Sequence, residues 1–305
     1  MFSYALLTQT NSMKYSSTIL LLITICVSRA FAGGGWSQGK GNGFFMLSQR
    51  YIGGSFYANN NSEIIHSPED WFGVFTTHFY GEYGLNSNFD IIFHSPFVTG
   101  TSYHNFPGQG FPTHDPISKQ NNWSFGDIDV AAKYRFIRSG INVSATLQFG
   151  SPTGKYKPGL YGNLEPVTSD GDFNQMLRVD ASAGFGKNYF YSIGAGFNNR
   201  TNGFSDEIHV NGEIGRNGDK LVSILKVYSL NSLENGDNAP AGIPGIYSNN
   251  LEYLAISPCF LYKLNDGWGL IFEAGFAPYL RNIIAAPSFN FGITKNIRGQ
   301  RTIDF

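Results

Sequence analysis

Between Phe125 and Pro152 the chain alternates apolar and polar side chains twice over, with a turn signal in the middle. The first limb sets Ile128, Val130, Ala132, Tyr134 and Phe136 at every second position, against Asp127, Asp129, Ala131, Lys133 and Arg135. After Arg138-Ser139-Gly140, a second limb sets Ile141, Val143, Ala145, Leu147 and Phe149 against Asn142, Ser144, Thr146 and Gln148. Successive side chains of a strand point to opposite faces, so this pattern predicts a tight antiparallel hairpin with one apolar and one polar face. A soluble sandwich buries such an apolar face against a second sheet. A transmembrane barrel turns it to lipid and keeps the polar face in its lumen.

The rest of the chain decides between them. About twelve alternating segments follow Gly43, at 43–57, 71–85, 88–99, 124–138, 140–152, 175–186, 189–199, 206–216, 220–232, 251–264, 268–280 and 286–297. Most reach the roughly 9–11 residues that a tilted strand needs to cross a bilayer. Alternation is poorest in 88–99 and in 220–232, where Lys226 falls among Val222, Ile224, Tyr228 and Leu230. Short turns with hairpin chemistry (Asn86-Ser87, Ser139-Gly140, Lys187-Asn188, Asn217-Gly218-Asp219, Asn265-Asp266-Gly267) alternate with longer connections at 58–70, 100–123, 153–174, 200–205, 233–250 and 281–285. Segregation of loop lengths to alternate ends is the mark of an outer-membrane barrel, with short periplasmic turns and long extracellular loops. An even strand count places both termini in the periplasm. The expected fold is therefore all-β, an antiparallel transmembrane barrel of about 12 strands.

Composition agrees. Aromatic residues make up 16% of the chain and charged residues only 14%, well below the roughly 25% of ordinary globular domains. Residues 1–32 read as a signal peptide: Lys14, an apolar run from Ile19 to Val27, then Ala30-Phe31-Ala32 as the cleavage motif, with Met13 as an alternative start. The apolar run is far too short for a spanning helix of about 20 residues. Residues 33–42 form a Gly-rich lead-in, too short to build a hatch, and 43–305 the barrel. Loss of Lys14 and Arg29 with the signal leaves 19 basic against 22 acidic residues. That balance offers no footprint for nucleic acid. Cys259 becomes the one cysteine of the mature chain, which excludes an internal disulfide and a cysteine metal site.

Four short motifs carry a family resemblance. They are Gly126-Asp127 opening a strand that runs into Lys133-Tyr134-Arg135, then Ser151-Pro152-Thr153-Gly154, then Asp170-Gly171-Asp172-Phe173, and Arg200-Thr201-Asn202-Gly203-Phe204-Ser205-Asp206-Glu207. Together the chain resembles, from about residue 43 to 297, the outer-membrane barrels of the meta-pathway of phenol degradation family. The resemblance implies a transporter-like barrel that passes small solutes, aromatic or hydrophobic compounds among them, across the outer membrane. A closed structural or adhesive barrel acting through its extracellular loops is the alternative. A lipid hydrolase is a third reading, and it lacks support: outside the poorly alternating segment 88–99, His78 and His209 are the histidines well inside strands, neither sits in a Ser-containing motif, and no Gly-x-Ser-x-Gly elbow occurs.

Strand parity nominates the lumen lining: Asp127, Asp129, Lys133, Arg135, Arg178, Asp180, Glu207, His209, Glu213 and Glu273. Rings of charge select solutes in pores, and paired charges also fill narrow barrels. Asp127-x-Asp129 is not read as a metal pair, because Lys133 and Arg135 share its face. Tyr103, Phe106, Phe111 and Trp123 are the candidate apolar-solute contacts in the 100–123 loop, and Trp71, Trp268, Tyr83 and Tyr279 mark interfacial belts. No cofactor or metal is implied. The expected partners are outer-membrane lipid, a small-molecule solute and the barrel-insertion machinery.

Overall fold

Every wall strand of this chain finds two antiparallel neighbours, so the sheet has no free end. The computed structural model describes residues 34–67, 71–104, 118–155, 167–237 and 246–299. Its strands are β1 (Gly43–Gly54), β2 (Phe56–Ala58), β3 (Ile64–His66), β4 (Trp71–Gly84), β5 (Phe89–His104), β6 (Ser118–Phe125), β7 (Ile128–Ser139) and β8 (Ile141–Ser151). They continue with β9 (Asn174–Phe185), β10 (Tyr189–Asn199), β11 (Glu207–Asn217), β12 (Leu221–Ser232), β13 (Glu252–Lys263), β14 (Trp268–Arg281), β15 (Ile283–Ile284) and β16 (Ser288–Ile297). Pairing runs from β4 through β1, β16, β14 and so on in reverse chain order to β5, and β5 pairs back to β4. Closure removes the unpaired edges that an open sheet would expose.

The barrel has twelve wall strands because β6 and β7 act as one. β5 pairs with β7 from Phe89↔Tyr134 to His94↔Asp129, and with β6 from Phe97↔Phe125 to His104↔Ser118. Between the two stretches stands Pro96, which has no N–H for the ladder. The wall breaks there at Gly126-Asp127, and the Gly126 N–H spans the gap to the Pro96 carbonyl at 2.8 Å.

The outward face is apolar along every wall strand. Tyr134, Leu177, Ile193 and Phe291 are each more than half exposed to the surroundings. In water such a surface costs about 1.5–3 kcal/mol per large side chain left unburied, so it calls for lipid. Tyr83, Phe185, Tyr189, Tyr262 and Trp268 ring the short-turn end, as an interfacial aromatic belt does. The turns themselves are tight. Gly140, with φ +69°, occupies a left-handed position that only glycine takes without cost.

The structure corrects two sequence expectations about connections and bears out the two weakest strand assignments. The connection drawn at 100–123 is strand at both of its ends, since β5 runs to His104 and β6 starts at Ser118. The connections at 58–70 and 281–285 contribute β3 and β15, which with β2 form a three-stranded sheet at the long-loop end, in the order β15-β2-β3. The poorly alternating segments are full strands, β5 and β12, whose patterns are blurred because apolar side chains also point inward. Val98 of β5 and Val222, Ile224 and Leu230 of β12 are all buried inside the barrel.

The occluded lumen as the candidate functional site

Inside the wall lie three layers, and the lowest is made by the lead-in. Residues 34–42 turn back into the barrel from the short-turn end. Gly35 N–H donates to Ser182 Oγ at 2.8 Å, and Ser144 Oγ donates to the Gly34 carbonyl at 3.2 Å. Ser37 Oγ donates to Asp90 Oδ1 at 2.8 Å, and the Gln38 N–H is shared by both Asp90 oxygens. Gly34 adopts φ +83°, and a Cβ there would collide with Ser192 Oγ. Trp36 stands edge-on to Phe190 at 6.0 Å, joining a cluster of Phe190, Val222, Ile224, Cys259, Leu261 and Ile271. The lead-in, which the sequence offered no reason to place inside the barrel, thus plugs the short-turn end of the lumen.

A belt of ion pairs crosses the middle. Lys133 is 1% exposed and pairs with Glu82, with Asp90 3.7 Å away. Arg178 Nε binds Asp180 at 2.8 Å, and Lys226 Nζ binds Glu273 at 2.6 Å with Arg50 behind it at 3.9 Å. Arg135 reaches the Ser87 carbonyl at 2.6 Å, tying the wall to the short turn. On the wall formed by β4, β5 and β7, His94 Nδ1 lies 3.0 Å from Asp129 and His94 Nε2 lies 2.9 Å from His78 Nδ1. An ionised Asp129 only accepts, so the proton order along this chain leaves His78 Nε2 as an acceptor. That nitrogen and the Oγ of Ser48, its cross-strand neighbour, are both buried without a hydrogen-bond partner among the described residues.

The upper layer is the most heavily bonded. Arg200 donates to Asp170 at 2.5 Å, Asp172 at 2.8 Å and Glu207 at 2.7 Å, and its guanidinium stacks 4.3 Å from the Phe204 ring. Glu207 also holds His209 at 2.9 Å, and His209 bonds Tyr228. Thr201 N–H and Oγ both donate to Asp172, at 2.6 and 2.5 Å. Two of the motifs that carry the family resemblance, Asp170–Phe173 and Arg200–Glu207, meet in this one clasp. In the loop, burial pushes the Asp170 carboxyl up to about 7, with Arg200 pulling the other way and Asp127 and Asp172 adding to the rise. Beside it a second apolar cluster, Phe72, Val74, Val98, Leu230, Leu251, Ile283 and Ile284, fills the long-loop half of the lumen.

The ten lumen candidates divide among these layers. Lys133, Arg178, Asp180 and Glu273 belong to the ion-pair belt, Arg135 to the tie with the short turn at Ser87, Asp129 to the histidine chain, and Glu207 and His209 to the clasp. Asp127 lies at the wall break, accepting from Ser169 Oγ at 2.6 Å. Glu213 stands apart, bordering a cavity. Of the loop aromatics, Trp123 sits on β6 as a 64% exposed ring beside Phe97 and Phe125, away from the lumen. Tyr103 lies on β5, and its side chain, like Phe106 and Phe111, falls outside the described residues. Sequence reading missed Glu82, Asp90 and His94, whose strands carried apolar residues on both faces, and Asp172 and Arg200, which sit in loops where parity has no meaning.

Among solved structures, the chain resembles the COG4313 outer membrane channel from Pseudomonas putida F1, with a TM-score of 0.59, 11% identity, and coverage of 88% of this chain and 99% of that one. The fold shared with it is the closed antiparallel β-barrel of outer-membrane proteins. Fainter likenesses reach the NanC porin (TM-score 0.48, 9% identity, 82% and 98% covered) and the KdgM porin (TM-score 0.47, 6% identity, 82% and 98% covered). No family model matches the chain. No curated protein matches it either.

Proposed function

We propose that this chain is an outer-membrane uptake channel for small solutes with apolar bodies, aromatic compounds among them, and that the lead-in holds it closed at rest. The observation that carries this reading is the composition of the lumen. Two apolar clusters flank one belt of paired charge, a lining that suits a solute with an apolar body. A path for sugars would be lined by hydrogen-bonding groups along its length. The short-turn end then faces the periplasm, both termini lie there, and residues 1–32 leave as a signal peptide with cleavage near Ala32. Lipid contacts the outer face, and insertion machinery places the barrel.

The lead-in is the element that moves. It is tied by a handful of hydrogen bonds and one aromatic contact, whereas the wall is a continuous ladder. The test is flux through the purified protein in liposomes, comparing phenol-like aromatics, short fatty acids and small sugars, with and without residues 34–42. Aromatic flux that rises on removal of the segment supports the reading. Equal passage of all three classes makes the barrel a general pore. Absence of flux from the shortened, folded barrel leaves the adhesive reading, for which the exposed Phe56, Ile64 and Ile65 of the three-stranded sheet are the natural contact surface. The hydrolase reading is the least supported, since Ser48 and His78 face inward and away from lipid.

A further inference from the structure

The cavity of about 180 Å³ between the lead-in and the inner faces of β1, β4 and β11 to β14 has a wall of two kinds. Most of it is aliphatic, from Met46, Val222, Ile224, Leu261 and Ile271, and Gln38 of the lead-in borders it. One side is polar, and there Glu213 is the odd residue. Glu82 has Lys133, Asp180 has Arg178, and Glu273 has Lys226 and Arg50. Glu213 forms no ion pair among the described residues, and its Oε1 is buried without a hydrogen-bond partner. Its register neighbour across the ladder is Lys226, yet that ammonium turns to Glu273 at 2.6 Å. A buried acceptor left without a donor is costly, and an unpaired buried carboxylate more so.

We infer that this cavity is a binding site for a small organic cation: one apolar ring or short chain ending in an ammonium group, with the ammonium on Glu213 and the body against Val222, Ile224 and Ile271. The size fits, because a cavity of roughly 150 Å³ accommodates benzene. The charge fits as well. Lys226 also borders the cavity but already has its carboxylate, so an anionic ligand would have to displace Glu273, while a cation completes Glu213 and leaves the Lys226–Glu273 pair in place. The inference deepens the uptake reading by naming a solute class, and it is tested by binding rather than flux, so the two fail separately.

The experiment is calorimetric titration of the full chain in detergent with three probes of one size: benzylammonium, benzyl alcohol and benzoate. Benzylammonium is expected to bind best, benzyl alcohol about tenfold more weakly, corresponding to 1.4 kcal/mol, and benzoate not at all. Glu213→Gln should cost benzylammonium about tenfold and leave benzyl alcohol unchanged. Ile224→Trp, which fills the cavity and keeps the carboxylate, should abolish binding of both. In the unmodified protein, benzylammonium should slow methylthiolation of Cys259, which borders the same cavity, as read on its peptide by mass. Preference for benzoate, indifference of benzylammonium to Glu213→Gln, or no protection of Cys259 would each overturn the assignment. Should Glu213→Gln not fold, Ile224→Trp and the protection of Cys259 decide the matter.

Discussion

The two ends of the lumen are closed by different means. At the short-turn end the lead-in rests on neutral and single-charge hydrogen bonds to Ser182, Ser144 and Asp90, with Trp36 as its one large contact. At the long-loop end Arg200 gathers Asp170, Asp172 and Glu207 into a buried clasp, over an apolar cluster that includes Ile283 and Ile284 of β15. Hydrogen bonds of the first kind contribute about 0.5–1.5 kcal/mol each. Removing one partner of a buried ion pair costs about 3–5 kcal/mol, because the other charge stays behind. On the proposed function the first closure is a strap, expected to detach while the barrel stands. The other is part of what makes the barrel stand.

Replacing Arg200 by Met breaks that comparison most sharply. Three carboxylates are then left buried without their cation, and the expected loss is about 3–5 kcal/mol, read as a lowered urea midpoint and a smaller heat-modifiable fraction on gels. The opposite end should behave differently. Gly34→Val forces a β-branched residue into φ +83° and drives its side chain into Ser192 Oγ. With about 1–3 kcal/mol taken from the strap, the open fraction should rise roughly 5- to 150-fold in conductance recordings. The urea midpoint should stay put. If it falls as it does for Arg200→Met, the lead-in is structural and the strap idea fails.

This contrast also explains what the sequence could reveal. The wall was legible because lipid imposes one requirement on every strand, an apolar residue at each second outward position, whatever lies inside. Ile141, Leu147 and Phe149 carry that signal without reference to any distant residue. The lumen has no such uniform rule. Val98 and Val222 point inward just as Asp90 and Lys226 do, so alternation fades in β5 and β12 although both are complete strands. Parity also says nothing about partners: Lys133 meets Glu82 from a strand far back in the chain, and Gly35 meets Ser182 across 147 positions. The Gly-rich lead-in has no period at all. Its place is set by its neighbours, chiefly the room that Gly34 and Gly35 leave against β8, β9 and β10.

Smaller effects sharpen the picture within each end. Asp90 serves both the strap and the belt, accepting from Ser37 and Gln38 while lying 3.7 Å from Lys133. Asp90→Asn keeps an acceptor for one donor and removes the charge that holds the others. We expect about 1–3 kcal/mol of strap stabilisation to be lost, seen as more frequent openings, with the barrel kept intact by Glu82 on Lys133. A drop in global stability as large as that of Arg200→Met would show that the belt, not the strap, is what Asp90 supports.

The most local effect concerns pH at the clasp. Burial raises the Asp170 carboxyl to about 7 in the folded state, above its value of roughly 3.9 in an unfolded chain. Between those two values the folded state holds a proton that the unfolded state has released. Stability from this group is therefore highest below about pH 4 and falls as pH rises toward 7, after which it is level. Loop 167–173 should accordingly exchange its amide hydrogens faster at pH 8 than at pH 5, once the intrinsic rates are divided out. Asp170→Asn carries no titrating group, so its protection should be flat across that range. Asp206, whose carboxyl is held low by the Arg200 N–H and Asn235, stays ionised throughout and serves as the internal control, since Asp206→Asn should leave the slope of the unmodified protein in place. A slope that survives in Asp170→Asn and disappears in Asp206→Asn would move the sensor across the clasp and leave the buried pairing of Asp170 with Arg200 without a pH-dependent part.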